Sequence, residues 1–272
     1  MAIRNSIIYF EYDEAFLRSS LEISPIKLPL QCGVIELPRS PFEGLAGVFN
    51  DSLPDGWRRL LFDRLLQLEG ISPSDLSPLD CLTSVGLNGL GPLVYEPDQN
   101  LNINDKIIDL DVLATHTEEV LEGESGVVIA ELLALNGSSA CTRPKALIGV
   151  DAERKNIVHG KDQLKNDFEH WMVKLPNLQD GMDAGAIEYV YALIALDTGI
   201  EMPTIHLFPS QKGNGYFAVK RFDRNANKRL HMHTVSGLLH NNFRFPSLDY
   251  ENLLSLAKVL TKDIREVEKM FR

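Results

Sequence analysis

The chain has 272 residues, 44% of them hydrophobic, enough to bury a substantial core in one large domain or two modest ones, and two are expected. A balance of 27 Lys and Arg against 38 Asp and Glu leaves a formal charge of -11, which disfavours direct contact with a nucleic-acid backbone. Cys32, Cys81 and Cys141 form no CxxC pair, no apolar run reaches the ~18 residues of a membrane span, and the start lacks a signal peptide's apolar block, so a cytoplasmic protein with reduced thiols is expected.

In chain order, residues 7–12 and 26–30 read as short strands of a small sheet. Turn and capping residues at 50–57 precede Leu60, Leu61, Leu65 and Leu66, whose spacing predicts a helix stopped by Gly70. A closing strand is expected over 92–97, then a polar connection over 98–105. Two helices follow between Leu110 and Leu135, broken near Gly123 to Gly126. The period then changes. Residues 145–150 and 156–159 read as a hairpin, and 171–175 as a third strand carrying a single lysine.

Residues 183–198 predict a helix with an apolar face of Ile187, Val190, Leu193, Ile194 and Leu196. Strands over 204–208 and 216–221 flank the turn Gly213-Asn214-Gly215. A last helix begins at Thr261-Lys262-Asp263, and its stripe of Ile264, Val267, Met270 and Phe271 asks for a partner surface. The fold class expected is α+β: a small amino-terminal β-rich domain with helices over 1–104, a protein-kinase-like N-lobe of antiparallel sheet plus helix over 105–224, and the opening helices of a helical C-lobe over 225–272.

A nucleotide kinase positions phosphates with a small-residue turn and a lysine on a neighbouring strand. The turn Gly137-Ser138-Ser139-Ala140-Cys141-Thr142 and Lys174 are candidates, with Glu188 the carboxylate that would keep the ammonium charged. The plainer readings stay open. Lys174 can be an edge residue whose stem reaches solvent, the turn can be a helix cap and connector, and Arg221-Phe222-Asp223-Arg224 can be a strand end with charges paired on the surface. His231 and His233 lack a third ligand, so no metal site is expected.

Several stretches resemble HipA-type proteins. In the amino-terminal region these are Tyr9-Phe10-Glu11-Tyr12, Ser24-Pro25-Ile26-Lys27-Leu28-Pro29 and Phe49-Asn50-Asp51-Ser52-Leu53-Pro54-Asp55-Gly56-Trp57. Further on they are Arg143-Pro144-Lys145, Trp171-Met172-Val173-Lys174, Gly199-Ile200-Glu201-Met202-Pro203, Phe217-Ala218-Val219-Lys220-Arg221-Phe222-Asp223-Arg224, and His231-Met232-His233-Thr234 with Gly237-Leu238-Leu239-His240. The resemblance implies a serine/threonine kinase toxin, linked to persistence, that uses ATP and magnesium and phosphorylates a protein such as an aminoacyl-tRNA synthetase. It also implies a HipB-like helix-turn-helix antitoxin as partner, with DNA reached only through that antitoxin; the lack of a long apolar run and of a basic membrane-facing cluster predicts no membrane partner.

By the same resemblance Ser138 corresponds to an autophosphorylated loop serine, and Ala140, Cys141, Thr142, Arg143, Pro144 and Lys145 to the ATP-binding loop. Lys174 corresponds to the phosphate-contacting lysine, and Lys220, Arg221 and Phe222 to the hinge that meets adenine. Many relatives carry glycines where Ala140 and Cys141 stand, and side chains there restrict the backbone. The family's catalytic loop, shaped roughly like Asp-Asp-His-x-Lys-Asn, and its later magnesium-binding aspartate have no counterpart in residues 1–272. A truncated polypeptide, without a catalytic residue and inactive as it stands, is therefore expected; the competing reading is a non-catalytic module that binds an antitoxin or a complementary kinase chain.

Overall fold

The computed structural model describes residues 1–98, 107–123, 127–135, 143–160, 162–177 and 179–271. In chain order its elements are β1 (Ala2–Arg4), β2 (Ile7–Glu11), α1 (Glu14–Ser19), β3 (Val34–Glu36), α2 (Gly47–Asn50), α3 (Gly56–Leu68), α4 (Pro78–Thr83), α5 (Leu110–Glu122) and α6 (Val127–Leu135). There follow β4 (Lys145–Asp151), β5 (Ile157–His159), β6 (Phe168–Lys174), α7 (Ala184–Asp197), β7 (Ile205–Phe208), β8 (Tyr216–Lys220), β9 (Arg224–Asn225), β10 (Lys228–Arg229), α8 (Val235–Leu239), α9 (Tyr250–Thr261) and α10 (Ile264–Phe271). The fold is α+β with antiparallel sheets, and it divides into two compact units, Met1–Asp51 with His233–Arg272, and Ser52–Met232. No helix among the described residues is long and apolar enough to cross a membrane.

In the first unit the antiparallel sheet runs β1-β2-β3, with Tyr9 opposite Glu36. The third strand is Val34–Glu36 and not the expected 26–30 run, which instead makes a tight Ser24–Leu28 bridge. Pro25 and Pro29 lack the N–H groups a strand there would donate. The Tyr12 hydroxyl donates to the Leu28 carbonyl at 2.7 Å, and Phe10 packs edge-on to Tyr12 and against Phe49, with ring centroids 4.6 and 5.1 Å away. Helices α2 and α8 cross where both carry glycine: a Cβ added at Gly47 would lie 1.9 Å from the Gly237 carbonyl oxygen.

Two histidines tie the same unit together. His240 Nε2 accepts from the Gly47 amide at 2.9 Å. His233 bonds Asp51 through Nδ1 at 2.6 Å and Ser24 through Nε2 at 3.0 Å. Asp51 also accepts from the Thr234 amide and hydroxyl, at 2.8 and 2.7 Å.

In the second unit a five-stranded antiparallel sheet runs β5-β4-β6-β8-β7. Alternate residues face opposite ways, so Ala146, Ile148, Val150, Trp171, Val173 and Ala218 share one face and join the buried core with Trp57, Leu61, Leu113, Val120 and Leu132 from α3, α5 and α6. Each fully buried Leu or Val stabilises the unit by about 1.5–3 kcal/mol relative to exposure. The other face carries Lys145, Met172, Lys174 and Phe217.

The segment over 92–97 forms no strand. Tyr95 instead donates its amide to the Gly86 carbonyl at 3.2 Å and its hydroxyl to Ser52 at 2.8 Å. Helix α7 forms where its period places it, but its apolar face is not core: Ile187, Val190 and Ile194 are each more than half exposed, and Ala192 is its one buried residue.

Candidate functional site

Antiparallel register sets Lys145 of β4 directly opposite Lys174 of β6. Directly opposed residues point to the same face with Cβ atoms about 4.5–5.5 Å apart, and like charges so placed repel. Glu188, one turn inside α7, meets Lys174 at 2.5 Å. Arg143, just ahead of β4, reaches Asp180 at 3.0 Å and Glu188 at 3.8 Å. Lys174 Nζ also stands over the Phe217 ring, 5.6 Å from its centroid. These pairs are part-exposed and each contributes at most about 1 kcal/mol to stability; their consequence is local charge, three cations gathered at one strand end of a chain whose formal charge is -11.

A cavity of about 340 Å³ opens beside this strand end, lined by Arg143, Lys174, Asp180 and Glu188 and by Lys212 on the β7–β8 turn. That turn is fixed by α5. Asp111 accepts from Ser210 Oγ at 3.0 Å, from the Gln211 amide at 3.1 Å and from the Tyr216 hydroxyl at 2.8 Å, and Lys212 Nζ donates to Thr115 Oγ1 at 2.9 Å. Gly185 lets α7 come close, because a Cβ there would lie 2.1 Å from the Gly215 carbonyl oxygen.

At the far end of β8 the charges are buried. Arg221, Asp223 and Arg224 are 5%, 2% and 7% exposed. Arg221 grips Asp223 with Nε at 2.9 Å and Nη2 at 2.7 Å, Arg224 Nη1 adds 2.7 Å, and the Gly91 amide donates at 2.9 Å. Burial pushes the Asp223 carboxyl up, yet the Arg221 hydrogen bonds and charge outweigh it and hold the group below the usual carboxylate range. Arg224 also donates to the carbonyls of Gly91 and Gly89, each at 3.2 Å. The group therefore clasps the 89–91 segment to the sheet. His170 lies nearby, and burial, then the Arg221 charge, lowers its pKa to about 4.

Of the candidate residues, Arg143, Lys145, Lys174 and Glu188 come together at the strand end, and Pro144 is buried with its carbonyl accepting from the Leu175 amide at 3.0 Å. Lys220, Arg221 and Phe222 do not line the cavity. Lys220 shares the Trp171 face and pairs with Glu169 at 2.5 Å, Arg221 belongs to the buried group, and Phe222 is 65% exposed. Ser138, Ala140, Cys141 and Thr142 lie outside the described residues. Sequence reasoning missed Asp180, Lys212 and Asp111, whose loop and helix-start positions carry no periodic signal.

A model of the HipA N-terminal domain matches residues 2–96, and one of the HipA-like C-terminal domain matches residues 137–272. The chain belongs to the HipA family. Comparison with curated proteins finds no match. In this HipA-family chain each family domain contributes to both compact units, since the N-terminal match continues past Asp51 and the C-terminal match past Met232. At the level of the family, HipA proteins are kinase toxins partnered by HipB antitoxins.

Proposed function

We propose that residues 105–224 form the nucleotide-binding lobe of a HipA-like serine/threonine kinase and that the ATP triphosphate binds at the strand end made by Arg143, Lys145 and Lys174. The observation that carries this reading is the opposed Lys145–Lys174 pair with Glu188 holding Lys174. Arg143 and Lys174 face the cavity, Lys145 is buried opposite Lys174, and Glu188 fixes the direction of the Lys174 ammonium before a polyphosphate arrives. The base would extend toward Phe222, whose exposed ring offers a stacking surface; the Lys174 and Lys220 registers are about 10 Å apart along β6.

The amides of Lys220 and Arg221 already donate to Thr204 and His170 and are not offered to adenine. The carboxylates beside the cavity that could meet magnesium, Asp180 and Glu188, are both engaged by cations. In the reading proposed, the family's phosphate acceptor is a protein such as an aminoacyl-tRNA synthetase, and a HipB-like antitoxin is the partner.

Calorimetric titration with ATP and with AMP tests the site. One-to-one binding of ATP, at least about tenfold tighter than AMP, is expected, a difference of ~1.4 kcal/mol from the added phosphates. Equal binding of the two, or none of either, contradicts the proposal.

A further inference from the structure

Helix α7 has two faces with different fates. Glu188, Gly185 and Ala192 turn toward the sheet, where Glu188 holds Lys174 at 2.5 Å and Gly185 makes the close approach to Gly215. On the opposite side Ile187, Val190, Tyr191 and Ile194 recur at i, i+3, i+4 and i+7 and are 53%, 51%, 70% and 54% exposed. Four large side chains in one stripe form a contiguous apolar surface of the kind that marks an interaction site.

The chain segment that carries the stripe has charged residues of one sign. Between Lys174 and Lys212 there is no Lys or Arg, while Asp180, Asp183, Glu188, Asp197 and Glu201 all fall in that interval. With Asp180 and Glu188 already paired to cations, Asp183 and Asp197 flank the two ends of the helix. The α10 helix of a second copy is a poor complement, because its Arg265 and Lys269 are paired with Asp263 and Glu266 and the acidic Glu268 stands between Val267 and Phe271.

We infer that the outer face of α7 is a docking site for a basic amphipathic helix of another protein, whose apolar stripe covers Ile187, Val190, Tyr191 and Ile194 and whose flanking Lys and Arg meet Asp183 and Asp197. Helix-on-groove recognition of this kind reads i, i+3, i+4 and i+7 anchors, and charge of opposite sign at the rim sets orientation and partner choice. Because the same helix carries Glu188 on its inner face, a partner on its outer face also steadies Glu188 against Lys174. That coupling rests on the nucleotide reading given above; the docking site does not.

The test uses the whole chain and a synthetic amphipathic helix with leucines at i, i+3, i+4 and i+7 flanked by lysines, beside an otherwise identical peptide flanked by glutamates. The lysine peptide is expected to bind at least about tenfold tighter than the glutamate peptide, and Val190→Glu, an exposed position checked for folding by circular dichroism, is expected to lose that binding. Equal binding of both peptides, or retention in Val190→Glu, overturns the docking site. Self-association of the wild-type chain that Val190→Glu abolishes also overturns it, since the occupant is then a second copy. ATP affinity is expected to rise several-fold with the lysine peptide bound. Peptide binding with no change in a measurable ATP affinity overturns the coupling, whereas peptide binding with no ATP binding at all sinks the nucleotide reading and leaves the docking site standing.

Discussion

Asp223 shows how one side chain can decide a unit's stability. It accepts from two guanidinium groups and one backbone amide in a site from which water is excluded. Asp223→Ala leaves two buried cations without their anion, and a loss of about 3–5 kcal/mol is expected in urea unfolding. A loss below about 1 kcal/mol would mean that the group is solvated after all. His170 sets the acid response of the same unit. Its pKa falls from 6.5 to about 4 on folding, so the folded state binds fewer protons, and stability is whole above pH 6.5 and drains as pH falls toward 4. The expected loss between pH 7 and 5 is roughly 2 kcal/mol, at about 1.4 kcal/mol per tenfold change in proton affinity, and His170→Gln should flatten that slope. An unchanged slope would assign the acid response elsewhere. His240, likewise lowered by burial and by the Lys27 and His233 charges, carries the same sign in the first unit.

Among the elements, the crossing of α2 and α8 depends on two glycines. Gly47→Ala puts a methyl into backbone and is expected to cost at least about 1–3 kcal/mol, whereas Gly181→Ala, with nothing within 4 Å, should be neutral; thermal melts compare them. If both melt like the wild type, the helices do not cross as closely as described. The strands over 145–150, 157–159, 171–174 and 216–220 were legible because apolar residues alternate with others at the sheet's period, and the Lys174–Glu188 pair was legible as a lone lysine followed by an acid on the next helix. What escaped the sequence depends on distant chain. The burial of Arg221, Asp223 and Arg224 comes from a segment over a hundred residues upstream, and a charged strand end gives no sign of it. The strand expected over 26–30 failed because Pro25 and Pro29 weigh against pairing more than the apolar pattern weighs for it. The exposure of α7 was hidden for another reason, since an apolar helical stripe looks the same whether it meets a core or a partner.

At the scale of the molecule, two family domains are threaded through two compact units, so neither domain's sequence limits coincide with a unit of packing. A chain of formal charge -11 has little general attraction for a polyphosphate. On the function proposed, affinity for ATP comes from the few cations gathered where β4 and β6 are in register, and it should fall when any one of them is removed. The direct test is an ATP titration of the wild type beside Lys174→Ala and Lys145→Ala, each first shown to be folded. Saturable binding in the wild type and at least about tenfold weaker binding in each variant is the predicted result, a loss of ~1.4 kcal/mol or more per lysine. ATP affinity that is the same in all three proteins would contradict the account.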